Sequence, residues 1–361
     1  MTTESTAENT TRAWVDIDLG ALVRNGAALA RHARVPILPM VKADAYGLGV
    51  GPVTAALETL DPFGFGVATV VEGCELRSRG VKRPVIVFTP ILPEEFPDVR
   101  GARLTPTLSN AGAISAWTES GGGPWHLAID TGMNRAGARW DAVASLAAVI
   151  RRSPPEGAYT HFHSAELDDG SMEMQERRFR DALAALPMRP AVVHTDNSAA
   201  ITRRSPSLWN AVRPGVFLYG VGSGPGAAVT PEAVVSLSAR VVELRDVLPG
   251  ESVSYDASWT AARHTRVATL PIGYADGYRR SLGNRGNALV NGVRARVVGT
   301  VTMDMTMIDV TGVACRVGDT ATLIGTDGPE TISVDEVGTA CGLSPYEILT
   351  GLRQRAGRRY R

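Results

Sequence analysis

Cysteine is scarce in this 361-residue chain: Cys74, Cys315 and Cys341 are the only three, and no two are spaced as CxxC. That excludes a secreted disulfide framework and a four-cysteine zinc site, and it places the chain in a reducing compartment, the cytoplasm. Charge of one sign is also lacking, since 37 Lys and Arg balance 37 Asp and Glu. Without a basic or acidic excess there is no electrostatic footprint for nucleic acid or a membrane surface, and a small molecule is the expected ligand. No apolar run approaches the ~20 residues that span a bilayer. The first residues, MTTESTAENTT, have neither the basic nor the apolar region of a signal peptide, so residues 1–12 are expected to be a disordered terminus. Only the length is generous. It calls for two domains, or for one barrel of roughly 250 residues with an addition.

A rhythm follows. Short apolar, β-rich runs at residues 37–42, 63–69, 84–89, 103–107, 126–130, 158–162, 191–194 and 211–219 alternate with Ala, Leu and Arg segments of helical spacing. A repeat of about 25 residues suits a strand, a loop and a crossover helix, and eight such units predict a TIM-like (β/α)8 barrel over residues 13–230. An open doubly wound sheet is the alternative. Lys42, Asp130, His161, His194 and Arg213 all fall at the ends of these runs, which favours the barrel, because its reactive groups gather on the C-terminal rim of the strands. From about residue 231 to 361 alternating runs separated by LPGES, GNRGN, CRVGD and GTDGPE turns predict a mostly-β domain. The early run AWVDIDLGAL is a candidate extra strand for it.

The chemistry concentrates in VKADAYGLG, residues 41–49. A lysine at a strand end, beside an apolar strand and a Tyr-Gly turn, can be desolvated enough to form a Schiff base. Glycines that let backbone approach closely and a tyrosine hydroxyl suit a phosphate nearby. Together with IDTGMNRAG, YTHF, VHTDNSAA, VRPGVFLYG, VSYDASW, GYADGYRR and VGTVTMDM, in this order along the chain, the block resembles the alanine racemases, the fold-type III pyridoxal phosphate (PLP) enzymes.

That resemblance implies PLP as cofactor, an amino acid as substrate and a homodimer whose active sites are shared between subunits. It implies the interconversion of L- and D-alanine by two bases, supplying D-alanine for cell-wall peptidoglycan. Lys42 matches the Schiff-base lysine, which also handles the α-proton on the D side. Tyr255 matches the tyrosine that reaches in from the other subunit on the L side. His161 matches the histidine that hydrogen-bonds this tyrosine, and Arg213 the arginine facing the pyridine nitrogen. A guanidinium has no acceptor and holds its own proton, so the ring nitrogen would stay unprotonated and the cofactor would be a weaker electron sink. Cofactor contacts are expected from Tyr46, His194, Ser198, Gly215 and Val216, and substrate contacts from Arg135 and the Met303 amide. Glu166, Tyr274, Arg280 and Asp304 match an entrance layer.

The chain departs from the family pattern in places. Ala128 stands where many members carry a carbamylated lysine that holds the neighbouring arginine, so Arg135 needs another counter-charge, expected to be chloride or a carboxylate. Leu48 replaces a common histidine, Met305 a common glutamine and Gln354 a common tyrosine; Tyr360 is a candidate for the phosphate contact so lost. Three other readings compete. Racemisation of serine or another amino acid would use the same machinery. A metal-dependent barrel hydrolase would place His161 and His163 of THFHSAE on one strand face, although HExxH and cysteine clusters are lacking and no metal is expected. A PLP-binding, non-catalytic barrel would have no need of the domain that carries VSYD and GYADGY.

Overall fold

The computed structural model describes residues 11–361, so the expected disordered terminus lies outside it except for Thr11 and Arg12. Arg12 is tied down, since its carbonyl accepts the Arg240 amide at 2.8 Å. Contacts divide the chain into two compact units. One holds residues 20–45 and 49–232, the other residues up to 19, 46–48 and 233–361.

The first unit is a parallel barrel. Strands Phe65–Val67, Val85–Val87, Thr105–Leu108, His126–Asp130, Gly157–Tyr159 and Val192–His194 pair in that order. Their side chains are apolar on both faces; Phe65, Val67, Val85, Ile86, Val87, Leu127 and Ala158 are all fully buried, as in a sheet covered on both sides. The first and eighth rungs are thinner. Proline has no amide hydrogen, and with Pro36 and Pro39 in the first run the ladder shrinks to the bridges Ile37↔Val212 and Met40↔Gly66. The first bridge, with Leu38 N–H on the Val212 carbonyl and Met40 N–H on the Pro214 carbonyl, carries the barrel from the last rung back to the first, and the second joins the first rung to the strand Phe65–Val67. The eighth run ends earlier than expected. After Pro214 the backbone turns, and Val216–Tyr219 is a 3-10 helix closed by Gly220 in the left-handed region.

Helices lie between successive strands. Leu19–Ala33 buries Leu22, Asn25, Gly26, Leu29 and Ala33, the three-and-four spacing of one helical stripe. Leu29 and Ala33 pack with Ile37, Ile201, Val212 and Phe217. Side-chain caps start several helices: Thr69 before Val70–Ser78, Asn110 before Ala111–Glu119 and Asn197 before Ser198–Arg203.

The second unit is mostly β. Its larger sheet runs Val293–Arg296, Asn287–Val290, Thr320–Asp327, Val235–Arg240, Ala13–Ile17, Gly357–Tyr360. Residues 13–19 thus group here rather than with the barrel, because Ala13–Ile17 pairs antiparallel with Val235–Arg240 and parallel with Gly357–Tyr360. A second sheet joins Glu243–Val247, Thr265–Leu270 and Thr306–Asp309, and a hairpin joins Ser252–Val253 to Trp259–Thr260.

The helical turn Lys42–Gly47 is unusual. Ala43, Asp44, Ala45 and Tyr46 have φ between 54° and 56°, so it winds left-handed. L-residues pay roughly 1–2 kcal/mol each for this, and specific bonds hold the turn. Ala45 N–H reaches the Val41 carbonyl, and Val50 N–H reaches Asp44 Oδ1 at 2.7 Å. In the second unit Arg358 donates to the Gly47 carbonyl at 2.5 Å and Tyr360 Oη to the Leu48 carbonyl at 3.0 Å. Gly47 itself has φ 86°, and a Cβ there would sit 2.5 Å from the Leu349 carbonyl oxygen. Gly47→Ala is therefore expected to cost about 2 kcal/mol or more of stability, read as a lower urea midpoint; an unchanged midpoint would show that the turn relaxes freely.

Candidate active site

In the first unit a cleft of about 330 Å³ opens at the C-terminal ends of the strands, lined by Lys42, Phe88, Ala128, Asp130, Arg135, Tyr159 and His161 among others. The strand-end positions converge because parallel strands all point their carboxyl ends at one rim. Lys42 ends the first strand-like run and remains open to solvent. Partial withdrawal from water, then the positive charge of Arg135, lowers its pKa; Glu72 opposes this and Arg213 adds to it.

Arg213 is buried, and both of its terminal nitrogens are engaged. Its Nη1 donates to His194 Nδ1 at 2.8 Å and to the His194 carbonyl at 2.6 Å, and its Nη2 to the carbonyls of Thr160 and Thr195 at 2.8 and 3.1 Å. The rings of Tyr159 and Phe88 flank the guanidinium at 5.2 and 5.7 Å. Burial brings its pKa down to about 10, which still leaves it charged at neutral pH.

An arginine only donates, so it dictates the protonation of its neighbours. His194 Nδ1 must accept, which assigns the proton to Nε2, and Nε2 then donates to His126 Nδ1 at 2.9 Å. Both rings are fully buried, and burial first, then Arg213 and His126, holds His194 well below its usual pKa. His194 is also stacked on Tyr159 with ring centres 5.3 Å apart. It is thus placed behind Arg213, as its support. His161 Nδ1 lies 3.3 Å from Arg213 Nη2, and desolvation followed by Arg213, Arg135 and Lys42 brings its pKa to about 3, a neutral imidazole whose proton belongs on Nε2.

Ser198 opens the helix after the seventh strand. Its Oγ accepts from the amides of Gly215 at 2.9 Å and Phe217 at 3.4 Å, the residues on either side of Val216. Arg135 is exposed on the cleft wall, and no acid pairs with it among the described residues. Asp130, in the same cleft, has one carboxylate oxygen occupied by the amides of Gly132 and Asn134. Glu166 lies exposed in the loop that follows the sixth strand.

The two histidines of the HxH pattern separate. His161 turns to Arg213, while the exposed His163 has its Nδ1 2.7 Å from Ser164 Oγ. Among the described residues no three His, Cys, Asp or Glu side chains form a group that could hold a metal ion.

The remaining candidates belong to the second unit. Tyr46 is buried there, with the Tyr346 ring 6.1 Å away, and burial then Tyr346 raises its pKa. Tyr255 is 69% exposed on the 3-10 turn Tyr255–Ala257, where Thr300 Oγ1 donates to its carbonyl at 3.4 Å. Arg280 reaches Asp256 at 3.6 Å. Met303 and Asp304 occupy the tip of a tight turn in which Met305 N–H bonds Thr302 Oγ1. Arg355 fastens this turn to the GYADGY loop: it is bidentate on the buried Asp276 at 2.6 and 2.9 Å, and it donates to Asp304 at 2.6 Å and to the Met303 carbonyl. The amides of Tyr274 and Ala275 bond the carbonyls of Thr302 and Met303. Tyr360 Oη donates to the Leu48 carbonyl at 3.0 Å.

Several residues with evident work at these sites escaped the sequence reading. His126, Tyr159 and Phe88 surround Arg213 and His194, and Arg355 braces the Met303 turn. Gln175, fully buried, donates to Thr131 Oγ1 and to the His161 carbonyl and accepts from His163 N–H, joining two strand-end loops.

Comparison with known proteins points the same way. The model of the alanine racemase N-terminal domain matches residues 17–223, and that of the C-terminal domain residues 234–360. An alanine racemase of Deinococcus radiodurans is 40% identical over 96% of this chain and 99% of its own length, and one of Citrifermentans bemidjiense is 38% identical over 96% and 97%. Among solved structures, alanine racemase from Bartonella henselae with covalently bound pyridoxal phosphate has a TM-score of 0.90 at 30% identity, covering 97% of this chain and 99% of that one. The enzyme from Bacillus anthracis with bound L-Ala-P also has a TM-score of 0.90 at 30% identity, covering 97% and 95%. Two domain models spanning nearly all the described residues, and relatives matched end to end, show that the chain is an isomerase belonging to the alanine racemase family.

Proposed function

We propose that this chain binds PLP through Lys42 and interconverts L- and D-alanine with Lys42 and Tyr255 as the two bases, supplying D-alanine for cell-wall peptidoglycan. The observation that carries the reading is the convergence of Lys42, Arg135 and a neutral His161 on one cleft, with Arg213 buried against His161. The residues present fit the cofactor. An amine with a lowered pKa faces the cleft, a buried guanidinium bonded on its far side to His194 stands ready for a ring nitrogen, and the Ser198 hydroxyl, fixed by the Gly215 and Phe217 amides beside the backbone of Val216, offers a turn suited to a phosphate. PLP, when bound, supplies an electron sink that acidifies the substrate α-carbon.

The rest of the chemistry falls to the chain. Lys42, once its amine is free of its proton, takes or returns the α-proton on one face. Tyr255 of the partner subunit serves the opposite face, with His161 Nε2–H as its hydrogen-bond donor. Arg213, a guanidinium that holds its own protons and whose Nη donors are anchored on His194 and on the Thr160 and Thr195 carbonyls, would keep the ring nitrogen unprotonated. Arg135 and the Met303 amide orient the substrate carboxylate, Tyr46 contributes to the phosphate site, and Glu166, Tyr274, Arg280 and Asp304 restrict the entrance. With Ala128 leaving Arg135 without a fixed anion, chloride serves as its counter-charge.

Loss of optical rotation, followed over alanine, serine, lysine and arginine with PLP present, tests the reading. Alanine is expected to be fastest by at least about tenfold, a margin of about 1.4 kcal/mol in barrier. Serine ahead of alanine would move the assignment to the runner-up substrate. Replacing chloride with gluconate is expected to raise KM for alanine several-fold, and an unchanged KM would reject the chloride.

A further inference from the structure

Glu72 is unusual among the acids of the first unit for what its carboxylate touches. Its Oε1 accepts the Ala43 amide at 2.7 Å, while its Oε2 accepts the amides of Ala68 at 2.6 Å and Thr69 at 3.2 Å. Helix capping accounts for the Thr69 bond only: Thr69 Oγ1 accepts the Glu72 amide in return, a capping box at the start of Val70–Ser78. The other two bonds leave the helix. Ala68 lines the cleft at the end of the second strand, and Ala43 directly follows Lys42 in the left-handed turn. A carboxylate held by amides on both oxygens has no freedom to rotate away, and each bond is strengthened by its charge.

We propose that Glu72 is a positioning residue for Lys42: one carboxylate ties the backbone after the lysine to the strand end at Ala68 and sets a negative charge beside the lysine amine. The proposal rests on Lys42 being the reactive amine. The charged groups that bear on that amine are Arg135, Arg213 and Glu72, with His161 neutral, and Glu72 is the one that favours the protonated form. An ordinary capping residue would change helix stability and leave the amine alone.

The chain has only two lysines, Lys42 and Lys82, so an exposed internal reference is built in. The experiment takes the full-length chain, treated with hydroxylamine to release any aldehyde cofactor, and pulses it with acetic anhydride across pH. Peptide masses then give the labelling midpoint of each lysine. Removing the negative charge lowers the pKa of a neighbouring ammonium, so Glu72→Gln is expected to move the Lys42 midpoint down by about half a pH unit or more, with Lys82 unmoved. Thr69→Ala, which breaks the cap and keeps the carboxylate, is expected to lower Tm while leaving the Lys42 midpoint in place. If Glu72→Gln does not fold, Glu72→Asp withdraws the carboxylate by one methylene and should shift the midpoint in the same direction by less.

A Lys42 midpoint equal to the native one in the glutamine variant, or in the aspartate variant where that is the one that folds, overturns the proposal, as does an equal shift in Thr69→Ala. Failure of the underlying reading looks different. Native Lys42 would then capture no PLP on borohydride reduction, whatever the acetylation midpoints show.

Discussion

Lys42→Ala is expected to abolish racemisation, by about 10⁴-fold or more, because one side chain serves both as covalent anchor and as base. The same variant should lose the PLP mass that borohydride fixes on the native chain. No other amine can substitute, since the only other lysine, Lys82, is absent from the cleft lining. Folding should be little affected, because the Lys42 side chain is exposed and the left-handed turn is held through backbone groups of Ala43, Ala45 and Gly47. Racemisation within tenfold of native would reject Lys42 as the base, and unchanged PLP capture would reject it as the anchor.

Tyr255→Phe is expected to reduce racemisation by about 10²–10⁴-fold, the usual worth of a positioned proton carrier, while leaving PLP capture by Lys42 intact. The two faces should then separate. In deuterated water the variant should still wash the α-proton out of D-alanine, through Lys42, and should fail to do so with L-alanine. Equal exchange from both enantiomers, or unimpaired racemisation, would end the two-base proposal. Tyr255 is 69% exposed in the single chain, and its turn is braced by Thr300 and by Ser254 Oγ on the Thr300 carbonyl at 2.7 Å. Exposure of a braced aromatic agrees with a side chain offered to a second subunit. Dilution below the dimer dissociation constant should therefore lower activity together with dimer fraction, and an active monomer would contradict the shared site.

Much of the site could be read from single residues because barrel strands deliver their C-terminal residues to one rim. Lys42, Asp130 and His161 are far apart in sequence, yet the repeat of strand and helix was enough to predict that they would meet. Supporting residues left no such trace. Glu72 reads in TVVEG as the fourth position of a capping box, which announces a helix start and says nothing of the carboxylate oxygen that reaches Ala43 across 29 residues. Gln175 reads as an ordinary helix residue, and its bonds to Thr131 and His161 exist only once that helix packs on two strand ends. Arg355 directly follows Gln354, a position that departs from the family pattern, and it makes three of the bonds that hold Asp276 and Asp304.

The sequence by itself determined the barrel rhythm, the β-rich second part, the strand-end placing of the reactive side chains and the lack of any charge excess to attract polyanions. These are local properties, written in periodicities of two and 3.6 and in turn residues, and they need no knowledge of what lies opposite. Only the tertiary structure decided that His194 backs Arg213, that His126 in turn accepts from His194, that His161 is neutral and that the turn after Lys42 winds left-handed under bonds from Glu72, Arg358 and Tyr360. Such facts depend on burial and on donors meeting acceptors between distant elements. A guanidinium that can only donate, buried against two imidazoles, settles their protons in a way that no spacing along the chain encodes.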